Sequence, residues 1–317
     1  MSTDGLLTLS GPTMGTRWTA RFAHAPSLDV AKIEAALADA MAMVDHQMSN
    51  WRGDSDLIRL NNAPTGEWLS LPAPLMQVLQ TALRIGRASD GVFDIGVGGL
   101  VRAWGFGPAN GVADPAMMRA MIGVPLSTAE ALELDPEHGR ARKHAPLELD
   151  LSGIAKGYGA DLLAQTLCGF GLTDFLVGLD GELVAAGLRP DGHTWAVALE
   201  QPIEGTRSAR GVIELSNRAV ATSGDYRHVL KLGDGRVSHT MNPRVGGPAQ
   251  NALASVSVLA SSCVEADAWA TVLMVLGEEA GPIFARSQGI EAIFLIRDGH
   301  SLRDVYTLAA ANAELTT

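Results

Sequence analysis

The chain has 317 residues, 47% of them hydrophobic, which is enough to bury a sizeable core. Its formal net charge of −11 argues against a nucleic-acid-binding protein, because such proteins present a basic surface that releases counterions. The two cysteines, Cys168 and Cys263, have no CxxC or Cys/His neighbourhood, so we expect buried thiols rather than a disulfide or a cysteine metal site.

Apolar spacing and glycine content divide the first third of the chain into strands, helices and one loop. Strands are predicted at 6–10 and 17–22, around a turn, and helices at 29–48, 72–89 and 114–121, with a structured glycine- and aromatic-rich loop over 90–107.

The rest of the chain is richer in strands. A strand at Leu147–Leu151 leads through a glycine-bearing loop into a helix over Tyr158–Cys168, and 175–187 is predicted to be a hairpin with a type I′ turn at Asp180-Gly181. Many hairpin signals among few helices favour an α+β fold over a doubly wound α/β fold. The remaining predicted elements are strands at 195–199, 211–215, 219–222, 228–232, 236–239, 254–260, 290–296 and 305–308, and a helix at 262–276.

The last predicted helix carries a pair of oxygen donors. Ser262 and Glu265 form a capping-box pattern that marks its start. Asp267 and Thr271 are four residues apart and therefore share one helix face. Carboxylate and hydroxyl oxygens suit Mg²⁺ or Ca²⁺. On spacing alone, a polar stripe on a partly exposed helix is the simpler interpretation.

The loop that precedes the middle helix combines glycines with a lysine. In the segment from Asp150 to Gly159, a strand passes through Gly153, Ala155 and Lys156 into the helix. Glycines let a ligand approach the backbone, the helix start offers free N–H groups, and the lysine supplies positive charge, all of which suit a phosphate. The pattern is not the Walker motif, and an ordinary strand-to-helix turn with a solvated lysine fits it equally well.

Two further polar groups stand beside predicted strands. Thr222, Ser223, Gly224 and Asp225 make a polar turn, and His239 at a later strand end could move a proton at neutral pH. A histidine at a strand end is more often a hydrogen-bonded surface residue. The GxSxG elbow is missing, so we do not predict a hydrolase triad.

The N-terminal part contributes a Met14-Gly15 turn and the segment from Trp51 to Asp56. The indole of Trp51 could stack on a planar ring, although partial burial against the core is the commoner role for such a tryptophan.

In their order along the chain these motifs resemble the ApbE-type FAD:protein FMN transferases, from Met14 to about Gly277. The motifs that carry the resemblance are Thr13-Met14-Gly15-Thr16, Met48-Ser49-Asn50-Trp51 with Asp54-Ser55-Asp56, Asp90-Gly91-Val92-Phe93-Asp94, Trp104-Gly105-Phe106-Gly107, Asp150 to Tyr158, Gly181-Glu182, Thr222 to Tyr226, His239 with Pro243 to Gly246, and Ala266 to Thr271.

The resemblance implies an ApbE-like α+β fold with mixed, mostly antiparallel sheets and flanking helices. Two joined lobes would surround the flavin site, and the chain 1–317 would be one ApbE-type domain. It implies that Mg²⁺ is held by Asp267, Thr271 and the carbonyl of Ala155, and that Lys156 and His239 act in catalysis. The residues implied to bind FAD are Met14, Trp51, Asp56, Ala155, Lys156, Glu182, Thr222, Ser223, Gly224, Asp225 and His239.

The implied reaction moves FMN from FAD to a Thr or Ser hydroxyl of an acceptor flavoprotein and releases AMP. A metal-dependent FAD pyrophosphatase and a non-catalytic FAD-binding protein remain alternatives. The chain departs from the family pattern at Asn242, where members usually carry Asp, at Asp180, where they usually carry Gly, and at Val245, where they usually carry Thr. A membrane segment and a lipoprotein leader are not recognised, so a cytoplasmic protein is expected.

Overall fold

The computed structural model describes residues 5–109, 112–124, 127–202, 208–225, 229–232, 235–299 and 301–307. Position 228 of one predicted strand and position 308 of another lie outside these residues. Within them, no helix is both long and apolar enough to cross a bilayer.

The largest element of the fold is an eight-stranded sheet in the spatial order β1-β2-β6-β7-β10-β15-β16-β17. Each neighbouring pair in it is antiparallel. Its strands are β1 (Leu6–Thr13), β2 (Thr16–Ala23), β6 (Phe175–Leu179), β7 (Glu182–Ala186), β10 (Arg218–Gly224), β15 (Leu253–Ala260), β16 (Glu291–Asp298) and β17 (Ser301–Thr307).

The described residues also form smaller antiparallel sheets. They are built from β3 (Trp68–Ser70), β4 (Leu132–Asp135) and β5 (Arg140–Lys143), from β8 (Trp195–Glu200) and β9 (Ala209–Leu215), from β11 (Val229–Leu232) and β12 (Gly235–Ser238), and from β13 (Met241–Asn242) and β14 (Gly247–Pro248).

Eight α-helices and two short 3-10 turns are present among the described residues. The helices are α1 (Val30–Met48), α2 (Asp56–Asn62), α3 (Ala73–Ala88), α4 (Gly98–Ala103), α5 (Pro115–Met121), α6 (Thr128–Ala131), α7 (Ala155–Gly169) and α8 (Cys263–Gln288), and the 3-10 turns are Ile95–Val97 and Gly107–Ala109.

Helices cover one face of the large sheet and the β8–β9 hairpin covers the other. Two apolar clusters join α1, α3, α7 and α8 to the sheet. A third cluster packs Trp195, Leu199 and Ile213 of the hairpin against sheet residues such as Ala254 and Leu295. Strand β15 is therefore buried along both faces, which explains its nearly unbroken apolar sequence. The predicted α+β class with antiparallel sheets is confirmed.

The predicted strand at Leu147–Leu151 is wrong. Among the described residues the segment pairs with no strand, and its backbone is held by a side chain and by backbone groups of the 3-10 turn and of α4. Asn61 accepts from the Leu149 N–H at 2.8 Å and donates to the Leu149 carbonyl at 3.0 Å. The Asp150 N–H donates to the carbonyl of Ile95 and the Gly98 N–H to that of Glu148. One amide side chain thus replaces the strand ladder that the apolar residues suggested.

Other local predictions also need correction. The predicted loop over 90–107 contains a 3-10 turn, whose start Asp94 caps by accepting from the Gly96 N–H, followed by α4. Helix α7 begins at Ala155 rather than Tyr158. At the predicted type I′ turn, Asp180 has φ 54° but Gly181 lies outside the left-handed region, so the turn is not type I′. Cys168 is exposed, whereas Cys263 is buried as expected.

Helix α8 differs from its prediction at both ends. The side chain of Ser262 caps nothing, and Glu265 pairs with Arg84 at 2.5 Å instead of closing a capping box. The predicted end near Leu276 is a kink at Gly277, where φ is 81°, and the helix then continues to Gln288. A positive φ favours glycine, so the kink explains why apolar periodicity fails there.

Candidate functional site

The inner face of α8 carries the two oxygen donors that its sequence spacing singled out. Asp267 is only 4% exposed, and its Oδ2 accepts a hydrogen bond from the backbone N–H of Gly157 at 2.9 Å. The Thr271 hydroxyl lies 3.4 Å from the hydroxyl of Ser223 on β10. A Cβ added to Gly153 would stand 2.9 Å from Thr271 Oγ1. Asp267 and Thr271 therefore face the loop and first turn of α7 rather than solvent.

The first turn of α7 adds an ion pair. Lys156 Nζ donates to Glu182 Oε1 at 2.7 Å, and the Glu182 side chain is 1% exposed. Its other oxygen, Oε2, is buried and finds no hydrogen-bond partner in the described part of the chain. Lys156 is thus a partly buried, paired lysine, and the interpretation of it as a solvated loop residue is wrong.

Burial and mutual charge determine the ionisation of this cluster. Burial raises the pKa of Glu182 to about 7, although the Lys156 ammonium opposes the rise. Burial also raises the pKa of Asp267 against the same ammonium and the Gly157 N–H. For Lys156, burial lowers the pKa, but the carboxylates of Glu182 and Asp267 outweigh it and the pKa lies above its ordinary value. The raised pKa values mean that one ammonium does not fully stabilise two buried carboxylates, so an additional cation would favour their ionised forms.

The end of β10 brings hydroxyl groups to the same place. Thr222 Oγ1 lies 2.8 Å from Ser257 Oγ on β15, and a Cβ on Gly181 would come within 3.7 Å of the Thr222 carbonyl. Ser223 reaches Thr271, as described above. The strand end therefore contacts both α8 and the β6–β7 turn, next to Glu182, the partner of Lys156.

Asp225 has a different environment from the hydroxyl residues that precede it. Its carboxylate pairs with the guanidinium of Arg297, with one contact of 3.0 Å, and Arg297 also donates to the Leu253 carbonyl at 2.7 Å. The preceding residue, Gly224, is paired with Ser255 in the sheet. Asp225 thus connects β10 to β16 through this ion pair, and its role towards a ligand stays a prediction.

His239 directly follows β12 and lies beside Phe106. Its imidazole meets the ring of Phe106 edge-on, with 6.4 Å between ring centroids. In the following turn, Asn242 Oδ1 accepts from the Arg244 N–H at 3.0 Å, and Arg244 donates to the Asp90 carboxylate at 2.8 Å. The motifs around Asp90, Phe106 and His239 are therefore neighbours in space.

Of the N-terminal candidates, Met14 and Asp56 pack against other residues, whereas Trp51 is exposed. Met14 closes the β1–β2 turn with φ 41°, and its methyl group would lie 3.6 Å from a Cβ on Gly159 of α7. Asp56 begins α2, is 8% exposed, and pairs with Arg59. Trp51 is 66% exposed, so the alternative of partial burial against the core is wrong. Its indole is open to solvent and to any planar ligand.

The donor set fits a magnesium ion that a phosphate ligand helps to hold. No cluster of three or more His, Cys, Asp or Glu that could form a metal cage occurs within the described ranges. Mg²⁺ is commonly bound by one or two carboxylates together with substrate phosphates and waters rather than by such a cage. Asp267, Thr271 and the adjacent Ala155 backbone would supply hard oxygen ligands beside buried carboxylates whose ionised forms an additional cation would favour. Ala155 is 5% exposed at the first position of α7.

Sequence reasoning missed residues whose partners are remote along the chain. Asp161 on α7 caps the start of α8, accepting from the N–H groups of Cys263 and Val264. Asn61 clamps the loop that precedes α7. These partners are 88 to 103 residues away, and no short motif reports contacts at that separation.

The chain is similar to known proteins over most of its length. The family model described as "ApbE family" matches residues 14–294. The FAD:protein FMN transferase of Vibrio cholerae is 35% identical over 307 residues, covering 93% of this chain and 89% of that relative. The structure of flavin transferase ApbE from Vibrio cholerae has a TM-score of 0.85 at 33% identity, covering 96% of this chain and 98% of that one. The apo flavinyl transferase ApbE of Pseudomonas stutzeri has a TM-score of 0.85 at 32% identity, with 98% and 97% coverage.

Proposed function

The chain belongs to the ApbE family, and on that premise we propose that it transfers the FMN part of FAD to a Thr or Ser hydroxyl of an acceptor protein. The observation that carries the proposal is the junction of α7, α8 and β10. There Lys156, Asp267, Thr271 and Ser223 converge at the glycine loop before α7. We propose that the chain 1–317 acts as one unit of this kind.

The reaction forms one phosphorus–oxygen bond and breaks another. The acceptor hydroxyl attacks the phosphorus on the FMN side of the diphosphate, and AMP leaves with the electron pair of the broken bond. The hydroxyl proton passes to a base and finally to solvent or AMP. Such a transfer needs in-line placement and charge neutralisation more than covalent help from the protein.

The roles of the residues follow from their position and charge. Lys156 would neutralise diphosphate charge, because Glu182 and Asp267 keep it protonated. His239 is proposed as the base, a role worth about 10²–10⁴-fold in rate for a positioned group. Met14, Trp51, Asp56, Glu182 and the segment Thr222 to Asp225 are proposed to line the FAD site. The exposure of Trp51 is consistent with stacking on a ring of FAD.

Mg²⁺ is proposed at Asp267, Thr271 and the Ala155 carbonyl. When bound, it would polarise the phosphoryl oxygens and stabilise the charge that develops on them. The buried carboxylate of Asp267, whose ionised form an additional cation would favour, supports this position.

Asn242 is compatible with this proposal, although its amide cannot accept a proton. Its Oδ1 accepts the Arg244 N–H and so forms the turn that an aspartate would also form. The turn geometry that presents Arg244 to Asp90 is therefore kept.

The proposal is tested by incubating the protein with FAD, Mg²⁺ and an acceptor flavoprotein domain, followed by a denaturing gel read for flavin fluorescence. We expect the acceptor band to fluoresce and AMP to appear in equal amount. Asp267→Ala should abolish labelling. Its control is Asp29→Ala, which removes a helix cap at α1, outside the proposed site.

Each alternative activity has its own signature in the same experiment. FMN and AMP released rapidly without acceptor would identify a pyrophosphatase. Tight FAD binding with neither hydrolysis nor labelling would identify a carrier. Either result, with every metal tried, would overturn the transferase proposal.

A further inference from the structure

We infer that Asp161 is a positioning residue that holds the proposed metal ligands of α8 against the first turn of α7. The inference rests on the proposed function, since it concerns the same site. Asp161 belongs to none of the motifs in the sequence and is not a proposed ligand of metal or FAD.

Neither α7 nor α8 caps its own beginning with a side chain. The N-cap residues are Ile154 for α7 and Ser262 for α8, and neither makes a side-chain cap hydrogen bond. The first N–H groups of an α-helix have no partners inside the helix, so they need acceptors from elsewhere. For α8 these acceptors come from α7, because Asp161 accepts from Cys263 N–H at 2.8 Å and from Val264 N–H at 2.9 Å.

The reverse contact occurs at the start of α7. There the acceptor is Asp267 of α8, which takes the N–H of Gly157, the third residue of α7, at 2.9 Å. The two helices therefore cap one another with one carboxylate each. A carboxylate at a helix N-terminus is also favoured by the helix dipole.

Only a glycine permits this crossing. A Cβ at Gly157 would overlap the carbonyl of Cys263 and lie 2.7 Å from the Cβ of Asp267. The two helices thus touch through backbone at the point where both caps form, which leaves little freedom for either helix to slide.

The consequence for the site follows from helix geometry. Asp267 and Thr271 lie four and eight residues beyond Cys263, where Asp161 holds α8. A helix rises about 1.5 Å per residue and is stiff over this length. The Asp161 cap therefore sets the axial position of both oxygen donors relative to Ala155 and Lys156. Without it, packing at Gly157 and the Gly157 contact of Asp267 would still join the helices, but Asp267 is itself proposed to bind metal, so the site would lose the one carboxylate cap that is not also a proposed ligand.

The test compares Asp161→Ala and Asp161→Asn with wild type. Mn²⁺ serves as the probe, and its affinity in the presence of FAD is measured by electron paramagnetic resonance. The Mg²⁺ concentration for half-maximal acceptor labelling and kcat at saturating Mg²⁺ are measured in parallel. Asp29→Ala is the matched control, because it removes the cap of α1, where Asp29 accepts from Lys32 N–H at 3.1 Å.

We expect Asp161→Ala to weaken Mn²⁺ binding and to raise the half-saturating Mg²⁺ concentration about tenfold, the smaller end of the effect of groups that orient metal ligands. The kcat at saturating Mg²⁺ should change far less. Asp161→Asn, which keeps one side-chain carbonyl, should show an intermediate loss. Asp29→Ala should lower the melting temperature without changing Mn²⁺ affinity.

A folded Asp161→Ala with wild-type Mn²⁺ affinity would overturn the inference and leave a purely structural cap. If Asp161→Ala does not fold, Asp161→Asn decides by the same criterion. Wild type that neither binds Mn²⁺ with FAD nor labels the acceptor would instead overturn the proposed function.

Discussion

At the residue scale, the site depends on charges placed where water does not reach them. Glu182 and Asp267 are 1% and 4% exposed, and the ammonium of Lys156 pairs with Glu182 and interacts electrostatically with Asp267. Interactions between charges are stronger in such surroundings than in water, and the groups need little rearrangement when a charged ligand arrives. The same burial costs folding free energy when no ligand is present.

The cost predicts a pH dependence of stability for the protein without FAD and metal. The pKa of Glu182 is about 7 in the folded state, against 4.5 ordinarily, so the folded state binds more protons between these values. Stability contributed through Glu182 is therefore greatest below about pH 4.5 and falls as the pH rises towards 7. Asp267, whose pKa is also raised, acts with the same sign.

We expect Glu182→Gln to lose part of this dependence, since glutamine does not titrate. Urea midpoints measured at pH 5 and pH 7.5 should fall less in the variant than in wild type, and less than in the exposed control Glu279→Gln. Parallel pH profiles for all three proteins would contradict the burial argument.

Single-residue roles could be predicted only where the partner is near in sequence. The spacing of Asp267 and Thr271 gave the correct shared face, because helix geometry alone requires it. The pairing of Lys156 with Glu182 spans 26 residues and joins two different elements, so the sequence does not distinguish a paired lysine from a solvated one.

At the element scale, the crossing of α7 and α8 determines the site more than either helix alone. Gly157 lies at the crossing and Gly169 at the end of the same helix, where an added Cβ would meet nothing within 4 Å. Alanine substitutions at these two glycines therefore separate the effect of close packing from that of helix propensity.

We expect Gly157→Ala to destabilise the protein by about 1–3 kcal/mol, because overlap with the backbone of α8 outweighs the better helix propensity of alanine. Gly169→Ala should be neutral or stabilising by up to about 1 kcal/mol. Urea unfolding of both variants measures the difference. An unchanged or raised midpoint for Gly157→Ala would show that the helices separate easily.

Element boundaries were hardest to predict where side chains replace local backbone partners. The pattern of Ser262 and Glu265 is a normal capping box, yet Asp161 supplies the cap and Glu265 pairs with Arg84. Likewise, Asn61 supplies the partner that a strand at Leu147–Leu151 would have needed. In both cases a tertiary contact competes with a plausible local signal and wins.

At the scale of the whole molecule, the large sheet separates two layers with different tasks. The helical layer bears Lys156, Asp267 and Thr271, whereas the β8–β9 hairpin packs on the opposite face through the third apolar cluster. The α+β class was predictable because hairpin signals are local. The order of the eight strands was not, since neighbours such as β2 and β6 are far apart in sequence.

This separation predicts that the hairpin layer governs stability without governing the reaction. Trp195 is 2% exposed in that layer, and its indole N–H donates to the Ala186 carbonyl at 2.9 Å. Trp195→Phe keeps an aromatic ring but removes this hydrogen bond and leaves the space partly unfilled. A lost hydrogen bond and a partly filled space in a packed layer together cost about 1–3 kcal/mol.

We therefore expect the urea midpoint of Trp195→Phe to fall by the equivalent of about 1–3 kcal/mol, while its KM for FAD and its half-saturating Mg²⁺ concentration stay within about twofold of wild type. Asp161→Ala should show the opposite separation, with a large change in metal requirement. Since both side chains make buried contacts in packed layers, the pair tests whether position relative to the sheet, rather than loss of stability in general, decides the effect on the site. A change in the metal requirement of Trp195→Phe as large as that of Asp161→Ala would mean that the sheet transmits strain between its faces and that the two layers are not independent.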